Sequence, residues 1–125
     1  MISIVIPLYN KEKQIENTLK SVFNQTFQDY EIVIVNDGST DGSVDVVKSI
    51  NDPRIRLIEQ PNQGVSAARN TGIKEARFDY IALLDADDEW KPTYLETQMD
   101  LIRSFPDCSV YGCAYEFKKG GKISP

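Results

Sequence analysis

The chain contains no histidine and only two cysteines, Cys108 and Cys113, and each shortage removes a class of chemistry. Without histidine there is no Ser-His or Cys-His nucleophile and no ordinary zinc site. Proton transfer must then come from carboxylates, Tyr, Lys, Cys or the substrate itself. The cysteine spacing matches no metal or redox motif, which suits two half-buried thiols in a reducing compartment. No apolar run approaches the roughly 18 residues of a membrane span. The start also lacks the basic-then-apolar build of a signal peptide. These features point to a cytoplasmic protein, or one peripheral at the inner face of a membrane. Positive charge is scarce as well: 14 Lys plus Arg stand against 19 Asp plus Glu, a formal charge of -5. That balance argues against nucleic acid as a partner. It leaves room for a small phosphate-bearing ligand accompanied by a cation.

What is present reads as one α/β domain over residues 1–125, with 41% hydrophobic residues to build its core. Short apolar runs alternate with segments of helical period, the pattern of a doubly wound, mostly parallel sheet with helices on both faces. Residues 2–6 form a β-branched run that stops at Pro7. Ile15, Leu19, Val22 and Phe23 then recur at helical spacing. Residues 31–35 predict a second strand, closed by Asn36-Asp37-Gly38-Ser39. Val44, Val47 and Ile50 predict a second helix, with Ser39, Thr40 or Asp41 available to cap it. A third strand ends near Gln60-Pro61, and a third helix carries Ala68, Gly72, Ile73 and Ala76 toward the sheet. Residues 80–84 form a fourth strand, and Pro92 opens a helix with Leu95, Met99, Ile102 and Phe105 on its buried face. Residues 110–117 predict a fifth strand, and Lys119-Gly120-Gly121-Lys122 a hairpin turn without a return strand. The expectation is a truncated domain.

Ligands of open α/β sheets bind outside the carboxyl ends of the strands. Those ends collect Pro7-Leu8-Tyr9-Asn10, then Asp37, then Asp85-Ala86-Asp87-Asp88. Carboxylates about 4 Å apart repel by on the order of 4 kcal/mol at an effective dielectric near 20. Such a rim therefore calls for a cation or a donor-rich ligand. Asp85 and Asp87 on a tight turn suit Mg²⁺ or Mn²⁺, which take one or two carboxylates and leave other positions to water and phosphate. Ala86 is small enough to let a ligand approach the backbone. Asp37, an acceptor only, can receive the N3–H of uracil or thymine, or guanine's N1–H and amino group. Alternatively it caps the following helix or shapes its own turn. Tyr9 can stack on a base, and Arg69 and Asn70 can contact phosphate or ribose.

Four segments together resemble family 2 of the glycosyltransferases, inverting enzymes of the Rossmann-like GT-A fold. They are Ser3-Ile4-Val5-Ile6-Pro7-Leu8-Tyr9-Asn10, Val35-Asn36-Asp37-Gly38-Ser39-Thr40-Asp41, Gly64-Val65-Ser66-Ala67-Ala68-Arg69-Asn70-Thr71-Gly72 and Leu84-Asp85-Ala86-Asp87-Asp88. The resemblance implies a nucleoside-diphosphate sugar donor, UDP favoured, and a carbohydrate or lipid-linked acceptor. Asp37 falls where the family recognises the base, and Pro7 and Tyr9 where its first loop lines the nucleotide pocket. Asp85-Ala86-Asp87 occupies the Asp-X-Asp motif that holds the metal and touches the ribose and diphosphate; Arg69 and Asn70 match a motif near the nucleotide. The family's general base lies on the acceptor side, further along, and no segment here matches it. The expectation is donor binding by this stretch with little transfer by it alone. A non-catalytic nucleotide-sugar-binding module is the alternative. A phosphoacceptor receiver domain would need a paired acid after the first strand, where Leu8-Tyr9 stands. A nucleotidyltransferase would need a glycine-rich loop there, and residues 7–11 contain no glycine.

Overall fold

The computed structural model describes residues 1–104. Its elements run β1 (Ile2–Leu8), α1 (Ile15–Phe23), β2 (Tyr30–Asp37), α2 (Ser43–Lys48), β3 (Ile55–Gln60), α3 (Val65–Glu75), β4 (Tyr80–Leu83) and α4 (Tyr94–Ser104). The described residues divide into two compact units, one of Met1–Phe23 with Gln28–Trp90, the other of Asn24–Phe27 with residues 91–104. The expected fifth strand and hairpin turn, Phe105 and both cysteines lie outside the described residues.

The first unit is built on a four-stranded sheet of order β3-β2-β1-β4, parallel throughout. Every residue of β1 and of β2 is buried, which is why both read as near-continuous apolar runs. Strand order fixes the layers. The connections through α1 and α2 step one way across the sheet, and the connection through α3 returns past β1 to β4. With right-handed crossovers, α1 and α2 cover one face and α3 the other. On the α3 face Val5, Val33, Val35 and Ala68 form a buried cluster, with Ile58 against it.

Buried polar groups in this unit find partners. Glu31 on β2 accepts hydrogen bonds from Ser3 Oγ at 2.6 Å, the Arg77 amide at 2.7 Å and Arg56 Nη1 at 3.2 Å. Burial pushes this carboxyl up, but those donors outweigh it and hold it below its usual value. The expected cap of α2 is corrected: its N-cap is Gly42, not Ser39, Thr40 or Asp41, although Asp41 Oδ1, one residue earlier, accepts the Ser43 amide at 2.9 Å. In the second unit, Gln25 Nε2 donates to the Lys91 carbonyl at 2.7 Å and Gln25 Oε1 accepts from the Leu95 amide at 2.9 Å. Leu95 and Ile102 are buried, as their spacing predicts, and Met99 is half-buried. Among the described residues no helix is long and apolar enough to cross a membrane.

Helix α3 sits close on the sheet because Gly72 has no side chain. A Cβ there would lie 2.3 Å from Val5 Cγ1. Ile73, expected on the same face, is instead exposed. We expect Gly72→Ala to destabilise the protein in a urea titration. Helix propensity favours alanine by about 1 kcal/mol, and overpacking opposes it by about 1–3 kcal/mol. A more stable variant would show that α3 does not lie this close.

Candidate functional site

The return of the chain from β3 past β1 makes the β1–β4 boundary the point where strand order reverses, the place where open α/β sheets bind ligands. Pairing of these strands ends at Val5↔Leu83, with one further bond from the Leu84 amide to the Val5 carbonyl at 3.0 Å. On its other side β1 stays paired to Leu8↔Asn36. A strand residue's N–H and C=O point to one side, and side alternates along the strand. Val5 faces β4, so Pro7 does too. Its missing N–H falls where there is no strand to receive one. Pro7 thus tolerates the opening of a crevice between β1 and the chain leaving β4.

The walls of this crevice are tied down by short polar side chains. Asn10 has a left-handed backbone (φ 50°) that turns the chain out of β1. Its Oδ1 accepts from the Thr40 amide at 2.8 Å and the Asp41 amide at 3.3 Å, and its own amide donates to Ser39 Oγ at 3.0 Å. On the other wall, Asp88 N–H closes the Asp85-Ala86-Asp87-Asp88 turn onto the Asp85 carbonyl at 3.0 Å. Thr18 Oγ1, buried on α1, donates to the Ala86 carbonyl at 2.9 Å, and Ser21 Oγ accepts the Trp90 amide at 3.1 Å. The turn's backbone is anchored to α1 while Asp85 and Asp87 keep about half their side-chain surface open, 41% and 46%.

Between the walls lies a cavity of about 510 Å³, within the range of small-molecule sites. Of the residues singled out in the sequence, Pro7, Tyr9, Asp37, Arg69, Asp85, Ala86 and Asp87 all line it. Asn70 does not; it is exposed, because adjacent helix residues point about 100° apart and Arg69 takes the inward direction. Asp88 is likewise outside the lining. Lys11, Asn62 and Gly64 line the cavity without having been anticipated. Lys11 had a weak signal in hindsight, being the first cation after the strand-one loop.

The expected crowd of mutually repelling acids is corrected by their surroundings. Arg69 Nη2 holds Asp85 Oδ1 at 2.9 Å, and Lys11 Nζ stands 3.5 Å from Asp87 Oδ2. Asp37 is buried and fully engaged. Its Oδ1 accepts from Gln60 Nε2 at 2.9 Å and the Gln63 amide at 2.8 Å; its Oδ2 accepts from the Gly64 amide at 2.9 Å and Asn62 Nδ2 at 3.3 Å. Asp37 therefore shapes the β3–α3 loop, rather than its own turn or the helix that follows it. Burial raises its carboxyl, but the bonds from Gln60, Gln63 and Gly64 outweigh that and leave it below the usual value. Among the described residues no group of three or more His, Cys, Asp or Glu side chains is arranged to hold a metal. Mg²⁺ and Mn²⁺ need only one or two carboxylates, with water or phosphate in the other positions, and Asp85 and Asp87 on one cavity wall are oxygen donors of that kind. On donor type and number they fit.

A carboxyl held below its usual value in the folded protein stabilises the fold above its unfolded value, and that stability is lost as pH falls through the folded value. For Asp37 the loss begins below about pH 4. Asp37→Asn turns an NH₂ toward donors and should cost about 1–3 kcal/mol at pH 7. In urea titrations the gap to the unsubstituted protein should narrow as pH drops below about 4. Equal stability at pH 7 would contradict the four-donor arrangement.

Comparison with known proteins bears on this crevice. The uncharacterized glycosyltransferase YibD of Escherichia coli (strain K12) is 46% identical over 102 residues, 80% of this chain and 30% of that protein. Among solved structures, S. aureus TarS 1-349 in complex with UDP superposes with a TM-score of 0.78 at 27% identity, over 84% of this chain and 32% of that one. The mannosyltransferase PcManGT from Pyrobaculum calidifontis, in complex with GDP-Man and Mn²⁺, gives 0.75 at 26% identity, over 81% and 32%. The chain thus spans about a third of the length of these proteins. The Rossmann-like sheet with helices on both faces, expected from sequence, is the fold they share. The sequence model of Glycosyl transferase family 2 matches residues 3–125, and the chain belongs to that family.

Proposed function

We propose that this chain is the donor-binding part of a glycosyltransferase, a fragment of one GT-A domain over residues 1–125. It takes a nucleoside-diphosphate sugar in the β1–β4 crevice for transfer to an acceptor hydroxyl with inversion. The observation that carries this reading is the convergence of Tyr9, Asp37, Arg69, Asp85 and Asp87 on one cavity at the reversal of strand order. The family match supports it. So do the likeness to TarS, solved with UDP and with UDP-GlcNAc, and the likeness to PcManGT, solved with GDP-Man and Mn²⁺.

Each residue then has a part. Tyr9, on the cavity wall and 46% exposed, offers its ring to the base. Asp37 receives an N–H of uracil by releasing the longest of its bonds, the 3.3 Å contact from Asn62 Nδ2. Arg69, rooted on α3, reaches the diphosphate as a planar donor. Asp85 and Asp87 would hold Mg²⁺ or Mn²⁺, which neutralises charge on the departing diphosphate. Ala86, within the turn and lining the cavity, has a side chain small enough to leave space for the donor beside the backbone. With Asp85 and Asp87 given to that task, the acceptor proton would go to a carboxylate further along on the acceptor side, where the family resemblance puts the general base. The acceptor is a carbohydrate or lipid-linked hydroxyl.

Isothermal calorimetry with Mn²⁺ should show UDP binding to the protein. Asp87→Ala should weaken it at least about tenfold, or about 1.4 kcal/mol. Affinity that is unchanged in the variant and indifferent to Mn²⁺ would overturn the assignment.

A further inference from the structure

The two cations that neutralise the acidic turn come from different elements, and both are removable. Lys11 follows β1, and its amide donates to Ser43 Oγ at 2.8 Å, so the root of its side chain is fixed while the long stem is not. Arg69 stands on α3 beside Ala68, which is packed in the sheet core. Each takes one acid: Lys11 lies 3.5 Å from Asp87, Arg69 2.9 Å from Asp85. All four side chains border the same cavity. Each is about 36–46% exposed, so these are solvent-screened pairs of small individual worth.

We propose that Lys11 and Arg69 form a latch across the Asp85-Ala86-Asp87 turn, released by a diphosphate, so that a divalent cation and a nucleoside diphosphate bind cooperatively. The inference rests on the functional reading above and goes beyond it in giving Lys11 a role and in setting how the two ligands depend on one another. A cation arriving alone must displace both side chains from the oxygens it needs. A diphosphate supplies the oxygens to which an ammonium and a guanidinium can transfer, the guanidinium in bidentate fashion. Each ligand thereby removes the obstacle facing the other, and the coupling is reciprocal. The geometry makes Lys11 a positioning residue: it acts on the metal site by occupying Asp87 and by vacating it.

The test is calorimetric titration of Mn²⁺ into the protein with and without saturating UDP, for the unsubstituted protein, Lys11→Met, Lys11→Gln and Arg69→Met. Thermal melts report folding alongside. In the unsubstituted protein UDP should tighten Mn²⁺ binding by at least about fivefold, at the lower end of ordinary coupling between two ligands. Each substitution should strengthen binding of Mn²⁺ alone by about two- to fivefold, the worth of one screened ion pair, and should shrink the effect of UDP. Substituted proteins that melt normally yet bind Mn²⁺ alone no more tightly would overturn the latch while leaving the functional reading intact. An unsubstituted protein that binds neither UDP nor Mn²⁺ would overturn both.

Discussion

The structure depends on a mismatch in length between two ladders that share β1. Toward β2 the pairing runs to Leu8↔Asn36; toward β4 it stops at Val5↔Leu83. The unmatched end of β1 must satisfy its backbone without a neighbour, and Pro7 meets that demand by having no N–H to satisfy. The crevice is thus a direct result of where hydrogen bonding ends. Its position follows from the strand order, which reverses at that boundary. Loops leaving β1 and β4 diverge there, and what those loops carry becomes the site.

Charge in the crevice is handled locally. Asp37 is buried yet ionised because two amides and two side-chain amides converge on it, and the same bonds fold the loop at residues 62–64 into a wall of the cavity. The loop's geometry and the carboxylate's charge are one arrangement. Gly38 belongs to it as well: with φ +75°, a Cβ there would meet the Asn62 amide nitrogen at 2.8 Å. Asp85 and Asp87 are handled otherwise, by Lys11 and Arg69 in half-exposed ion pairs.

Much of this was legible in the sequence. Strands buried on both faces leave continuous apolar runs, so β1 and β2 are plain, and seven residues singled out in four spaced segments line one cavity. Local reading failed where the physics is long-range. The donors to Asp37 come from residues 23 to 27 positions away, out of reach of any local pattern. Repulsion among the acids was inferred without Lys11 and Arg69, because nothing in a linear pattern says which cation a carboxylate will meet. Arg69 and Asn70 stand together in one motif near the start of a helix, although one step along a helix turns a side chain about 100°. Thr18 and Ser21, which anchor the acidic turn to α1, look in sequence like helix-surface residues.

The central claim is that the crevice between β1 and the turn after β4 receives a diphosphate and a divalent cation together. The most direct measurement is a crystal structure of the protein grown with UDP and Mn²⁺, using anomalous scattering to locate the manganese. The account predicts an anomalous peak between Asp85 and Asp87, the diphosphate beside it, and Lys11 and Arg69 turned toward phosphate oxygens. Manganese and nucleotide bound elsewhere, with both ion pairs to the acidic turn intact, would contradict it.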